Sequence, residues 1–379
     1  MQVVNKKMCV IVILVLVIIE SCTLFLMYKS YGNKNNTLDE VNLNINNTNM
    51  FAIMLEQEDG TYKEDTTSTW PTSGYTYNDS MSGCIDINGN KLDGVLSYDS
   101  TNNIATVDTG NTSYCYLYFS RPNASEYLLQ NPSSGLNTTI EAGMYRYQGT
   151  DNVDNHICFG TNNKLDCTNN TATYMYRIIG IAEEGQMKLI KKEILNTSVA
   201  WWSDDTTDVI WPNSLIYIAL NGNDYLLNNT YVPTGWESKI ATTTWKYGDA
   251  TSNGGYDGPT IYAIEDSWAN TISAKIGLMY IHDYYYAYAS GGSPENPSNA
   301  KTAWIHLSNN VPLTNVLEWL MSRLGGSSSF RGWTLASSDG IPTLNYLDSA
   351  RLVRPVFYLK SDVKITGGTG TSTDPYIIN

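Results

Sequence analysis

The stretch best suited to holding a ligand is Trp201-Trp202-Ser203-Asp204-Asp205, followed by Asp208. Indole faces stack on sugar rings and carboxylates accept hydroxyl hydrogens, the pairing that a carbohydrate site uses. Trp201, Trp202, Asp204 and Asp205 are therefore the candidate ligand-binding residues. The competing reading is core packing of one tryptophan with solvated aspartates beside it. Tyr284-Tyr285-Tyr286 with Tyr288 is open to the same two readings.

Acid–base and metal chemistry has few carriers, because the chain has three histidines: His156, His282 and His306. His282 and Asp283 are adjacent. On a strand, adjacent side chains point to opposite faces, so the pair is not expected to form a dyad. No nucleophile elbow, metalloprotease helix, phosphate loop or dinucleotide fingerprint is present, and no cofactor or metal is expected. Asp86-Ile87-Asn88-Gly89-Asn90-Lys91 begins like a calcium loop, but Lys91 stands where the sharp turn needs glycine and the bidentate acid is missing. It reads as a turn.

Six cysteines divide into two groups. Cys9 and Cys22 lie in an apolar segment; Cys84, Cys115, Cys158 and Cys167 lie beyond it. Four cysteines allow three connectivities. The sequential pairing, Cys84 with Cys115 and Cys158 with Cys167, closes each bridge within one expected supersecondary unit. None is in a Cys-x-x-Cys spacing and only His156 is near, so disulfides are favoured over zinc. Disulfides imply an oxidising compartment.

Residues 8–27 read MCVIVILVLVIIESCTLFLM, with Glu20 as the one charged side chain. About 20 apolar residues suffice to cross a hydrocarbon core of ~30 Å. No Ala-x-Ala-like cleavage site follows, which favours retention as an anchor over removal as a signal peptide. Ile19-Glu20-Ser21-Cys22 keeps a lipoprotein signal open as an alternative. Lys6 and Lys7 on one side match Lys29 and Lys34 on the other, so charge does not orient the segment. The cysteines place the folded mass outside the cell.

The chain of 379 residues carries a formal charge of −14, with 23 basic and 37 acidic residues. No stretch gathers Lys and Arg into a face that neutralises phosphates, so nucleic acid is not expected as a partner. Charged residues make up 16% of the chain, while it has 28 Tyr and 10 Trp. An uncharged, aromatic-rich surface of this kind is common outside cells.

These residues need a frame, and the frame reads in five parts: a cytoplasmic tail (1–7), a transmembrane anchor (8–28), an Asn-rich tether (29–49), a small β module (50–121) and a larger domain (122–379). In the module, residues 51–56, 95–98, 103–107 and 114–119 read as short strands. Tyr114, Tyr116 and Tyr118 alternate with Cys115, Leu117 and Phe119, a period of two that turns Cys115 inward toward Cys84. The module is expected to be a sandwich.

Arg121-Pro122 ends it, and residues 124–130 read as a short helix. Residues 174–182 and 187–194 flank a turn as a β-hairpin. Ser214 starts a helix at Leu215, Thr234 caps another carrying Trp236 and Ile240, and residues 274–281 and 352–359 are strands. The expected class is α+β overall, with long loops and no internal repeat. Residues 290–300 are loop. The C-terminus has no sorting signal, so anchoring is expected to rest on the N-terminal segment.

Four stretches carry a resemblance: MFAIMLEQEDGTYKEDTTSTWPTSGYTYNDSMSGC, MYRIIGIAEEGQMKLIKK, SAKIGLMYIHDYYYA and VRPVFYLKSDVKITGGTGTSTDPYII. They resemble membrane-anchored surface proteins of low-GC Gram-positive, often gut, bacteria. This resemblance implies display at the cell surface and implies no activity. More remotely, Asn315-Val316-Leu317-Glu318-Trp319, Phe330-Arg331-Gly332-Trp333 and Leu352-Val353-Arg354-Pro355 are similar in order and type to the end of the sulfatase-modifying-factor fold, a relative of C-type lectin domains. That similarity implies a lectin-like scaffold. The enzymatic side of that fold needs late cysteines, and none follows Cys167; Pro294-Glu295-Asn296-Pro297 has the wrong order for a calcium-lectin triplet.

The expected function is a membrane-anchored, non-enzymatic surface protein whose C-terminal domain binds an extracellular glycan or protein. A polysaccharide hydrolase with a carboxylate pair and a structural envelope or pilus-like subunit are the alternatives.

Overall fold

The computed structural model describes residues 50–57, 60–65, 75–99, 104–108, 113–150, 152–195, 197–204, 207–252, 254–288, 300–306, 316–324 and 330–379. They fall into two compact units, Met1–Arg121 and Pro122–Asn379.

The period of two in residues 114–119 sets the first unit. It forms strand β8 (Ser113–Ser120), whose residues alternate between buried and accessible. The others are β1 (Met50–Glu56), β2 (Tyr62–Glu64), β3 (Thr76–Tyr77), β4 (Gly83–Asp86), β5 (Lys91–Leu92), β6 (Leu96–Asp99) and β7 (Ile104–Val107). A six-stranded sheet runs β2-β1-β8-β4-β5, with β3 also on β8. β1 is parallel to β8, from Met50 opposite Tyr114 to Leu55 opposite Phe119. The hairpin β6–β7 covers its inner face, where Leu117, Phe119 and Ala105 are buried with Phe51, Ile53, Leu55 and Tyr98 packed on them. Each such large apolar side chain contributes roughly 1.5–3 kcal/mol. Cys84 pairs with Cys115 in the ladder and is disulfide-bonded to it.

The second unit is built on a seven-stranded sheet. Its strands are β9 (Leu136–Glu141), β10 (Met144–Tyr147), β11 (His156–Cys158), β12 (Met175–Ala182) and β13 (Met187–Lys191), joined later by β16 (Ile276–Gly277) and β20 (Val356–Tyr358). The order is β16-β20-β13-β12-β10-β9, with β11 on β12. All eight residues of β12 are buried. A strand covered on both faces reads as a continuous apolar run rather than an alternation. At its centre, a Cβ on Gly180 would lie 2.6 Å from the Tyr145 carbonyl oxygen, so only glycine lets β10 approach there.

Smaller sheets complete the unit. β14 (Thr243–Lys246) pairs β15 (Thr271–Ala274); β17 (Leu317–Arg323), β18 (Arg331–Ala336) and β19 (Pro342–Tyr346) form a meander; β21 (Ile365–Gly367) pairs β22 (Ile377–Ile378). One apolar core joins them, including Trp201, Trp211, Trp245, Trp304, Trp319 and Trp333. Cys158 and Cys167 are disulfide-bonded and pack with Met175 and Ile377, which seats the last strand.

The α+β class expected from the sequence is corrected. The structure is mostly β-strand and 17% helical. Its longest described helix, Gly258–Asp266, has 9 residues. The helix-start signals were real but short-lived. Ser214 caps Leu215–Leu220 through the Tyr217 N–H, and the helix stops after 6 residues. At Thr234 no α-helix forms: Gly235 opens a 3-10 turn, Trp236–Lys239. Start signals without a sustained apolar period do not propagate a helix.

Among the described residues, no helix is long and apolar enough to cross a membrane. The expected transmembrane anchor at residues 8–28, the tail before it and the tether after it lie outside the described residues.

Candidate functional site

Trp201 is corrected first. Its side chain is 0% exposed, packs on Trp211 and Trp319 with ring centroids 5.5 and 5.8 Å away, and donates from Nε1 to the Val209 carbonyl at 3.0 Å. It is a core residue and no sugar reaches it. Period alone could not separate two adjacent tryptophans; burial does. Trp202 is half-buried, Asp204 is half-buried and accepts from Thr207 Oγ1 at 3.2 Å, and Asp205 lies outside the described residues.

What the buried Trp201 does is hold the loop that carries Trp202. The Trp202 N–H donates to the Leu347 carbonyl at 2.9 Å, and Val199 bridges Arg351 in antiparallel fashion. Trp319 Nε1 donates to the Val199 carbonyl at 2.8 Å. Segment 199–204 is thus laid against segment 345–351 at the end of β19.

Polar and aromatic side chains flank that junction on the two faces of β19. Tyr346 is 49% exposed. The Arg331 guanidinium lies over its ring at 4.7 Å and donates to its hydroxyl at 3.0 Å. Arg351 donates from Nε and Nη2 to Asn345 Oδ1 at 3.2 and 2.8 Å. Beside it, Arg323 is buried at the end of β17 and gathers Asp208, Asp249 and the Val209 carbonyl. Asp208 and Asp249 are the half-exposed carboxylates of this loop cluster, and they share that one guanidinium. Sequence reasoning missed Arg331, Asn345, Tyr346, Arg351 and Arg323. Phe330-Arg331-Gly332-Trp333 stood out only as a mark of fold, and nothing local ties it to Trp202 across about 130 residues of chain.

Behind the surface lies a second assembly of charge, entirely inside the unit. The helix Ile281–Tyr286 is buried at every residue. Asp283 accepts from Arg146 Nη1 at 3.0 Å, Lys188 Nζ at 2.6 Å and the Tyr280 N–H at 3.2 Å. Burial by itself raises the Asp283 carboxyl; Lys188, His282 and Arg146 outweigh it and hold the group well below the usual carboxylate range. Glu265 accepts the N–H groups of Ile281 and His282, both at 3.1 Å, and His282 Nδ1 at 2.7 Å, and Ser322 donates to it.

The strand on which the sequence reading placed His282 and Asp283 is corrected here. They sit in the first turn of a helix rather than on a strand, and His282 Nε2 is 3.4 Å from Asp283 Oδ1. Asp283 is occupied by Arg146 and Lys188, Glu265 by His282 and Ser322, and both by orphan N–H groups of that helix start. Arg354 makes a third buried pair, with Nε and Nη2 each 2.6 Å from Glu318. These groups fix loops and helices onto the sheet. Breaking such a pair is costly because it strands a buried charge.

The other histidines are structural too. His156 is buried beside the Gly370 carbonyl, and burial, then Arg177 and Lys192, push it down to about 3. His306 faces the Ala336 carbonyl at 3.1 Å, with burial lowering it. Asp86 uses its carboxylate to accept the N–H groups of Asn88 and Asn90 at 2.8 and 2.9 Å, which makes the calcium-like stretch a hairpin turn. No group of three or more metal-ligating side chains occurs among the described residues. A notch of about 350 Å³ lies where Asn379 meets Ser238, Lys239, Lys360, Asp362 and Val363. Lys239 Nζ donates to the Asn379 carbonyl there, and no aromatic side chain lines the notch.

Comparison with protein-family models, with curated proteins and with solved structures finds no match. The lectin-like scaffold implied by resemblance accordingly has no structural neighbour behind it.

Proposed function

We propose that this chain is an extracytoplasmic surface protein, held at its N-terminal side by the apolar segment 8–27, whose second unit binds a glycan. The observation that carries the reading is the junction of segments 199–204 and 345–351. It sets Trp202 against the end of β19, where Tyr346 carries Arg331 on one face and Asn345 holds Arg351 on the other, on a frame that is itself rigidly paired. Aromatic faces suit sugar rings, while guanidinium, amide and carboxylate groups suit hydroxyls.

Two disulfides in separate units support an oxidising compartment. The resemblance to anchored surface proteins supports display at a cell surface. Glycan is favoured because an exposed aromatic ring stands among many hydrogen-bonding groups.

Binding is tested with the full chain on a glycan array, followed by titration of any hit against Trp202→Ala and Tyr346→Ala. The reading expects saturable binding that weakens at least tenfold in each variant. No hit, or binding indifferent to both changes, sinks it. Display is tested separately by protease treatment of intact cells, which removes the second unit if it lies outside.

A further inference from the structure

We infer that the first unit is a load-bearing element, built so that tension between the anchor and the ligand-binding unit shears β1 against β8. The inference rests on the reading above, in which the chain is held before Met50 and engages its ligand beyond Pro122. Tension then enters at the start of β1 and leaves after the end of β8.

Because β1 and β8 are parallel, those two points lie at opposite ends of neighbouring strands. Pulling slides one strand along the other. Six registered pairs, from Met50 with Tyr114 to Leu55 with Phe119, are strained together rather than one after another. An antiparallel terminal pair would place both points at the same end and open like a zipper. The inner face resists sliding as well: Phe51, Ile53 and Leu55 stand opposite Cys115, Leu117 and Phe119, so a slip of one residue would turn every one of them outward.

The disulfide fits the same purpose. Cys84–Cys115 ties β8 to β4, so β8 cannot leave the sheet by itself, and it closes a loop with a sequence separation of 31. That loop stays out of the tension path even after the strands part. Of the 71 steps between Met50 and Arg121, 40 remain extensible. At ~3.6 Å per step, the unit lengthens to roughly 140 Å with the disulfide intact and roughly 260 Å once it is reduced.

Single-molecule stretching of the full chain, with handles at its two ends, tests this. The first unit is identified by its length increment, and the measurement does not depend on where the protein resides in a cell. A second geometry moves the N-terminal handle to a Thr61→Cys attachment, which takes β1 out of the tension path and leaves β2 and β3 to peel pair by pair. The expected result is one discrete event of the oxidised length, lengthening on reduction. At equal load its rate should be at least roughly tenfold lower than in the Thr61 geometry, about the worth of one to two ladder hydrogen bonds. Equal rates in both geometries, or gradual extension without a step, would overturn the inference. Failure of the cell-surface reading would appear instead in the protease experiment, with the mechanical result unchanged.

Discussion

Replacing Asp283 by asparagine removes one negative charge from the centre of the second unit and leaves its shape nearly intact. The amide oxygen still accepts the Tyr280 N–H, so the helix start keeps its cap. What is lost is the counter-charge for Arg146 and Lys188, whose side chains are each 1% exposed. Removing one member of a buried pair costs about 3–5 kcal/mol. Lys188 bears most of this, since Arg146 also donates to the Glu141 and Ala142 carbonyls. For a unit of this size, each kcal/mol lowers the melting temperature by about 2–4 °C, so a fall of roughly 10 °C is expected. Calorimetry of the full chain reads it, with the transition of the second unit followed by tryptophan fluorescence. The companion variant Asp283→Asn with Lys188→Met should recover at least half the loss, because the stranded ammonium is gone and the new side chain lies among Trp245, Tyr280 and Tyr358. A single-variant loss below about 1 kcal/mol, or a double variant no better than the single, refutes the account of this hub.

Trp201→Ala should cost about 3–5 kcal/mol and Trp202→Ala much less, a contrast read by urea denaturation. Lys191 is buried over the rings of Tyr176 and Tyr231, and burial pushes it down to about 7, with Glu193 opposing. The unfolded chain holds that proton up to about 10.4, so between pH 7 and 10 it binds more protons than the folded one and stability rises with pH; Lys191→Met should reduce that slope, the part due to the also lowered Lys192 remaining. His156 acts in a lower window: folded it stays neutral down to about 3, unfolded it charges near 6.5, so stability falls as pH drops between those values. Replacing Cys158 and Cys167 by serine opens a loop with a sequence separation of 9 and should cost about 2.5 kcal/mol, seen first as loosened hydrogen exchange in β22.

Local pattern was legible in the sequence where one strand or one turn decides it. The alternation in residues 114–119, the hairpin after Ala182 and the cap at Ser214 follow from neighbours a few residues apart, and the cysteine pairings, over separations of 31 and 9, from each bridge closing within one unit. Helix length went unread, although Leu215–Leu220 ends at the local stop Asn221-Gly222, where the Asn221 side chain also bonds the Ile276 carbonyl of β16. The surface was half legible. Trp202 and Asp204 announce themselves by type, but Tyr346, Arg331 and Arg351 join them only through a junction more than 140 residues away in the chain. Adjacent tryptophans carry the same chemistry in sequence and opposite roles in space, since the Val209 carbonyl claims Trp201 and leaves its neighbour toward the surface.

The most direct test of the central claim is titration of the full chain with the best glycan-array hit, compared with Tyr346→Ala, whose unfolding transition should match that of the wild type. The account predicts saturable binding by the wild type and at least tenfold weaker binding by the variant. Equal affinity for both, or no glycan bound by either, would contradict it.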